Sequence, residues 1–506
     1  MRSLPVPRFA ALLALLCSGA LGLAPRAVAQ DFDSFRTFVD SLDAIGAIAD
    51  ANERRAATDA LWDDLRAAEA IPYTDDTDVA FLWRGSASRV VVNGDFNAWG
   101  NAGWVANRLV RVGQSDVWRL VTSFPDNARL DYKFVLNGSN WILDPANPHQ
   151  QWGGFGPNSE LRMPAWTLPE ETLPDASIPS GSLTTDLRIE STALGYAVNY
   201  RVYTPADYAD LAALLTVYVT DGHEYRDGRL GAMQTALDHL IADGTVAPLI
   251  AVFIDPRDPA TGANRRAEQY VENPDFADFV ADELVPAVDA AYRTDARAER
   301  RAILGTSLGG VCATYFGVER PDTFGNLAIQ SPAYWVSPEL FTRYAAAPPP
   351  GLRVALTVGT FFDGEDAARD MRDLFADAGY DMTYLEVNEG HSWGSWRAQH
   401  DVMLGHLFPG MVSPSNEGDR TAPGLTLDAF PTPSTTATTL RFTLDAPGSA
   451  TLAVYDLLGR EVARLRDGTL AAGTHTAQVG ALPPGVYVAR LVTTDGTATQ
   501  RFVRTR

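Results

Sequence analysis

Lysine is nearly absent from this sequence of 506 residues: of 41 basic residues one is a lysine, Lys133, and the other 40 are arginine. A genome rich in G and C accounts for such a bias, and only the position of the exception carries information. Basic residues of either kind are also outnumbered, because Asp and Glu total 63 and the formal charge is -22. A polyanion needs a basic footprint, so nucleic acid is excluded as a partner. The acidity bears on solubility and not on fold. Cysteine is scarce as well, with only Cys17 and Cys312 in the chain. Long apolar runs are missing beyond residue 29, so no membrane-spanning helix is expected.

What is present reads as folded protein, 46% hydrophobic and 21% charged, and too long for one core. Residues 1–29 combine Arg2 and Arg8, the apolar run FAALLALLCSGALGLA and the small-x-small site Ala27-Val28-Ala29. That order predicts a cleaved export signal. Leu16 precedes Cys17 where a lipoprotein signal wants a small residue, so lipid attachment is not expected. Cleavage leaves Cys312 alone, which excludes an internal disulfide and a zinc site built on cysteine.

The rest divides by texture. Residues 30–75 have helical periodicity ending at Pro72; residues 76–166 have short alternating strands, VAFLWRG, RVVVNGDFNAWG and LDYKFVLNG among them, as in a β-sandwich. Residues 167–182, TLPEETLPDASIPSGS, are a Pro-rich linker. From 183 to 410 apolar strands such as LLTVYVTD and LIAVFID alternate with helices, which predicts a doubly wound α/β sheet. A polar linker, 411–424, leads to a last short-strand module, 425–506, with 8 Arg against 6 acids. The predicted architecture is α/β, an α/β-hydrolase sheet flanked by an N-terminal and a small C-terminal β-sandwich.

One motif carries chemistry. In RAILGTSLGGVCATYF a strand runs through Gly305-Thr306-Ser307-Leu308-Gly309 into a helix, the strand-turn-helix setting of a nucleophile elbow. A serine hydroxyl needs a base to take its proton. In an α/β-hydrolase the order is serine, acid, histidine, which confines the base to the region after Ser307. Of the seven histidines, His149, His223 and His239 precede Ser307, and His475 lies in the last module. His391 sits in the glycine-bounded loop NEGHSWGSW after a strand, whereas His400 and His406 fall on a helix and read as packed or solvated. The orienting acid should follow the strand RVALTVGT, where Asp363 comes first, with Glu365 and Asp366 reading as helix N-terminal carboxylates. Backbone N–H groups of Leu308 and of His223 or Glu224, in VYVTDGHEY, are the candidate oxyanion donors. His223 also reads simply as a cleft neighbour.

The run from VYVTDGHEY through PLIAVFIDPRD, RRAEQYVENPDF, ILGTSLGG, QSPAYW and GHSWGSWR resembles the putative-esterase family of α/β-hydrolases. That family includes enterochelin, feruloyl and acetyl-xylan esterases, esterase D-type enzymes and mycolyltransferases. The resemblance implies triad roles for Ser307, Asp363 and His391, and places Arg266, Glu268 and Tyr270 near the cleft. Gln269 is an extra residue in that last segment. Residues 76–166 are similar to family 48 carbohydrate-binding modules and other early-set domains, through VNGDFNAW, DYKFVLNG and NWILDPANP. In glycan-binding members sugars stack on two tryptophans beside a lysine and an asparagine, which implies Trp99, Trp141, Lys133 and Asn158 here. In enterochelin esterases the same module merely packs on the catalytic one, so a structural role stays open. VYDLLGREV, AAGTH and PPGVYVARL resemble a type IX secretion sorting domain, with a fibronectin-like adhesion module as the alternative.

The expectation is a secreted serine carboxylester hydrolase without metal or organic cofactor, with an ester substrate, a polysaccharide ester by preference, and the type IX machinery as partner. A siderophore trilactone esterase and a non-catalytic surface glycan-binding protein are the alternatives.

Overall fold

Two capped helices open the structure. Ser34 Oγ accepts the Thr37 amide at the start of Phe35–Ala47, and the Asp50 carboxylate accepts the amides of Asn52 and Glu53 at the start of Ala51–Ala67. Their apolar stripes, Phe35, Phe38 and Leu42 with Leu61 and Leu65, pack on Ala80, Leu82 and Val117. The computed structural model describes residues 32–410 and, with short gaps, 426–504. The export signal, Cys17 and the 411–424 linker lie outside the described residues.

The strand Asp78–Arg84 explains why the helical lead-in and the strands after it form one body. Successive side chains point to opposite faces of a strand. Ala80 and Leu82 face the two helices, while Val79, Phe81 and Trp83 face Val90, Val92, Leu130, Tyr132 and Phe134. This strand belongs to a four-stranded antiparallel sheet with Tyr73–Asp75, Val117–Ser123 and Val110–Arg111. The facing layer is Val90–Gly94, Arg129–Leu136, Asn140–Ile142, Gln150–Gly153 and Gly156–Arg162.

That facing layer does not close on itself. Arg129–Leu136 joins the large sheet through one parallel residue pair, Arg129 with Glu389 on Asp381–Gly390. Six parallel strands form the centre of the large sheet, in the order Leu249–Ile254, Leu215–Val219, Arg301–Thr306, Asn326–Gln330, Arg353–Phe361 and Asp381–Gly390. Ala197–Thr204 extends it antiparallel at the far side. The central strands are buried along nearly their whole length, as expected of a parallel sheet covered on both faces. Catalytic loops in such folds emerge from the carboxyl ends of these strands.

The larger compact unit takes residues up to 239 and 248–408, and the smaller one 240–247 and 409 onward. In the smaller unit a three-stranded and a four-stranded antiparallel sheet share a core that includes Leu440, Phe442, Leu452, Val454, Leu491 and Phe502. No helix among the described residues is long and apolar enough to cross a membrane.

Candidate active site

Ser307 stands where Arg301–Thr306 turns into the helix Leu308–Glu319, with φ 58° and ψ -115°, a backbone conformation that side chains rarely adopt. The turn is held by the Ser307 amide donating to the Gln330 carbonyl at 3.0 Å and by the Ala333 amide donating to the Ser307 carbonyl at 3.1 Å. Both flanking glycines are sterically required. A Cβ at Gly305 would overlap the Gly309 carbonyl and Thr220, and one at Gly309 would press on Thr220 Oγ1.

The Ser307 hydroxyl lies 2.9 Å from His391 Nε2, and His391 Nδ1 lies 2.5 Å from Asp363 Oδ1. The imidazole side chain is 40% exposed and the carboxylate fully buried. Asp363 is itself fixed: its Oδ2 accepts from the Ser331 hydroxyl and the Gly359 amide, each at 2.5 Å. Glu365 instead accepts the Asp363 amide at 3.2 Å, and Asp366 pairs with Arg369 at the surface. His400 is buried on the Gly231 carbonyl and His406 leans on the Asp381 carbonyl, both away from Ser307.

Two backbone donors nearby stand at the starts of helices. The first N–H groups of a helix have no acceptor within it, which frees those of Leu308 and His223. Glu224 was the alternative, and its amide is taken: it donates to the Asp221 carbonyl at 2.8 Å, closing the turn. Its side chain does reach the cleft, where burial and the neighbouring Asp221 push the carboxyl up to about 7. The His223 ring is pressed down to about 4 by burial, so it is neutral at pH 7.

Arg266, Glu268 and Tyr270 separate. Arg266 lines the cleft, clasps the buried Asp221 carboxylate at 2.8 Å and donates to the Thr306 carbonyl, bracing the turn before Ser307. Tyr270 is buried and is no cleft residue; its hydroxyl accepts the Asp221 amide at 2.8 Å. Glu268 lies on the surface, paired with Arg265 at 3.3 Å, while the neighbouring Gln269 turns inward to Tyr196.

The cleft measures about 720 Å³, and residues of the N-terminal layer form much of its wall. Trp99, Lys133, Trp141 and Asn158 all line it together with Ser307 and His391. The two indoles lie near-parallel, centroids 6.4 Å apart and planes 30° from one another. Trp99 and Ala98 both take positive φ, in a turn tied by Asn97 Oδ1 to the amides of Gly94 and Gly100. Trp99 Nε1 donates to the buried Asp95 carboxyl, which fixes the ring. Asn158 donates to Asp131 at 3.0 Å. Phe155 lines the same cleft from the tip of the Gln150–Arg162 hairpin, fully exposed. The sequence reading passed over it, though the glycines of GGFG flank it as they would an exposed aromatic.

Residues 191–407 match the sequence model of the family described as Putative esterase. That stretch is similar to the members of this family. The chain also matches, over residues 428–505, a secretion system C-terminal sorting domain, which marks it for export to the surface or the exterior. It is 24% identical to the iron(III) salmochelin esterase of Escherichia coli O6:H1 over 360 residues, covering 64% of this chain and 85% of that protein. It is 28% identical to the iron(III) enterobactin esterase of the same organism, over 45% of this chain and 60% of that relative. To an endo-1,4-β-xylanase/feruloyl esterase of Xylanibacter ruminicola it is 29% identical over 59% of this chain, but spans only 41% of that longer protein. The solved enterobactin esterase of Shigella flexneri superposes with a TM-score of 0.56 at 24% identity, covering 66% of this chain and 93% of its own. The chain is a carboxylic ester hydrolase.

Proposed function

We propose that Ser307, His391 and Asp363 form the catalytic triad of a secreted esterase. The observation that carries this is the hydrogen-bonded chain of 2.9 and 2.5 Å opening on the cleft. His391 Nε2 takes the Ser307 proton as Oγ attacks the ester carbonyl, and the N–H groups of Leu308 and His223 receive the oxyanion. His391 then hands that proton to the leaving alcohol. A water, deprotonated by the same imidazole, releases the acid and restores Ser307. Asp363 holds the imidazole in the tautomer with Nδ1–H and stabilises its charged form.

The substrate we favour is a carbohydrate-linked ester, feruloyl or acetyl, with its sugar against Trp99 and Trp141 and its hydroxyls near Lys133 and Asn158. Near-parallel indoles suit the apolar faces of pyranose rings. The sole lysine of the chain falls in this wall, and an exported enzyme meets polysaccharide outside the cell. A catechol trilactone is the second reading, favoured by likeness to the enterobactin esterase across two-thirds of the chain. Cleavage of an N-terminal signal after Ala29 completes the export route.

Hydrolysis of p-nitrophenyl acetate should be lost in Ser307→Ala, by about 10⁵-fold or more in kcat. Equal rates would sink the triad and leave a glycan-binding protein. Release of acid from methyl ferulate, acetylated xylan and a catechol trilactone, compared at equal enzyme concentration, separates the substrate readings. Turnover of the trilactone alone would reverse our preference.

A further inference from the structure

The loop that carries His391 is gripped from two directions. On the hydrolase side the His391 ring meets Trp396 edge-on at 4.9 Å, and Trp396 Nε1 donates to Ser331, which donates in turn to Asp363. From the other direction come three residues that precede the 167–182 linker. Arg129, its side chain wholly buried, donates from Nη1 to Ser392 Oγ at 2.9 Å. Its remaining nitrogens hold Glu160 and Asp131, each at 2.5 Å, and Glu389 Oε2 lies 3.6 Å from Nη1. Trp166 Nε1 donates to the other oxygen of Glu389. The backbone is gripped as closely as the side chains: a Cβ at Gly394 would overlap the Arg129 guanidinium, and one at Gly390 would overlap Asp95. Residues 389, 390, 392 and 394 are therefore all in contact with the N-terminal part of the chain, and His391 between them faces the cleft.

We propose that Arg129 is a positioning residue for His391, which makes the N-terminal layers part of the catalytic unit and more than an appended binding module. The inference rests on the triad reading. Only a planar guanidinium reaches Ser392, Asp131 and Glu160 at once while lying flat against a glycine backbone; an ammonium is a point charge on a flexible stem. A buried ion network of this kind is weak evidence for stability, because desolvation offsets much of its attraction. Geometry fits its placement better. The loop must hold an imidazole within hydrogen-bond reach of Ser307 on one side and Asp363 on the other, and a misplacement of about 1 Å costs on the order of 10²-fold in rate.

Arg129→Lys keeps the charge and loses the fork, while Ser392→Ala removes one acceptor and leaves the carboxylates paired. With p-nitrophenyl acetate as substrate, and active sites counted by a phosphonate that labels Ser307, kcat per site should fall about 10- to 100-fold in Arg129→Lys with KM within about twofold. Ser392→Ala should fall less and in the same direction. The far-downfield proton resonance of the His391–Asp363 hydrogen bond should shift or broaden in both. A merely structural role predicts a lower melting temperature with kcat per site and that resonance unchanged, and this result overturns the proposal. Should Arg129→Lys not fold, Ser392→Ala decides alone. Ser307→Ala in the same assay keeps the two readings apart. If it still hydrolyses the ester, the triad fails; if it is inert while the Arg129 and Ser392 variants match wild type, only the positioning role fails.

Discussion

The turn that carries Ser307 and the loop that carries His391 sit 2.9 Å apart and are built on opposite plans. The requirements of the Ser307 turn are consecutive in sequence, a strand end, two glycines that let backbone pass and the first turn of a helix, with Gln330, Ala333 and Arg266 bracing it from neighbouring elements. His391 is held by residues distant in sequence, from Asp95 and Arg129 on one side to Trp396 on the other. The Ser307 turn is thus specified mainly by consecutive residues, and the His391 loop is an assembly of two layers of the molecule. Damage to the first should be confined to it, while damage to the second should propagate from one layer to the other.

Three experiments would break or sharpen that contrast. The largest effect is expected at the joint of the assembled half. Asp363→Asn should lower kcat on p-nitrophenyl acetate by about 10⁴-fold with the melting temperature little changed, because an amide favours the wrong imidazole tautomer. A loss of less than about tenfold would remove Asp363 from the triad. Next comes the local half, where Gly305→Ala places a Cβ against the Gly309 carbonyl and Thr220. Shifting the turn should cost about 10²-fold in kcat and about 1–3 kcal/mol in stability. Wild-type kcat would show that the tight turn is not what aims Ser307.

The smallest effect is a slope. Burial holds the Glu389 carboxyl up at about 7, against the partial relief given by Arg129. A carboxyl whose folded value lies above its unfolded one keeps its proton longer in the native state, so stability is lost as pH rises from the ordinary carboxylate range through about 7. Asp95, Asp131 and Glu224 are shifted in the same direction, also chiefly by burial. His223 and His400, held down at about 4 by burial, act in the opposite sense up to the ordinary histidine value, so the test is a difference: between about pH 5 and pH 8 the melting temperature should lose less, or gain more, in Glu389→Gln than in wild type. Identical slopes would take Glu389 out of that balance.

Legibility followed the same division. The Ser307 turn could be read because its requirements are consecutive: an apolar strand, Gly-x-Ser-x-Gly, a helix. The helical lead-in was legible as helix, but its attachment to Ala80 and Leu82 was not, since VAFLWR does not announce that both of its faces are covered. Tyr270 and Glu268 were drawn to the cleft by their place in a motif, but on one short helix Tyr270 packs under the turn at Asp221 and Glu268 points to the surface. Arg129 carried no signal at all, because one arginine among 40 says nothing until its four carboxylate and hydroxyl neighbours are seen around it.

By itself the sequence determined the class of chemistry and the C-terminal sorting domain, and it proposed Ser307 as nucleophile, because strand period, turn glycines and sorting motifs are written in neighbouring residues. Only the tertiary structure decided that Trp99, Lys133 and Trp141 stand in one cleft with Ser307 and His391. The same holds for the seam at Arg129 and Glu389, where the N-terminal layer meets the hydrolase sheet. The physical reason is that strand pairing and buried charge are settled between segments far apart in the chain, by which partners happen to meet once both are desolvated.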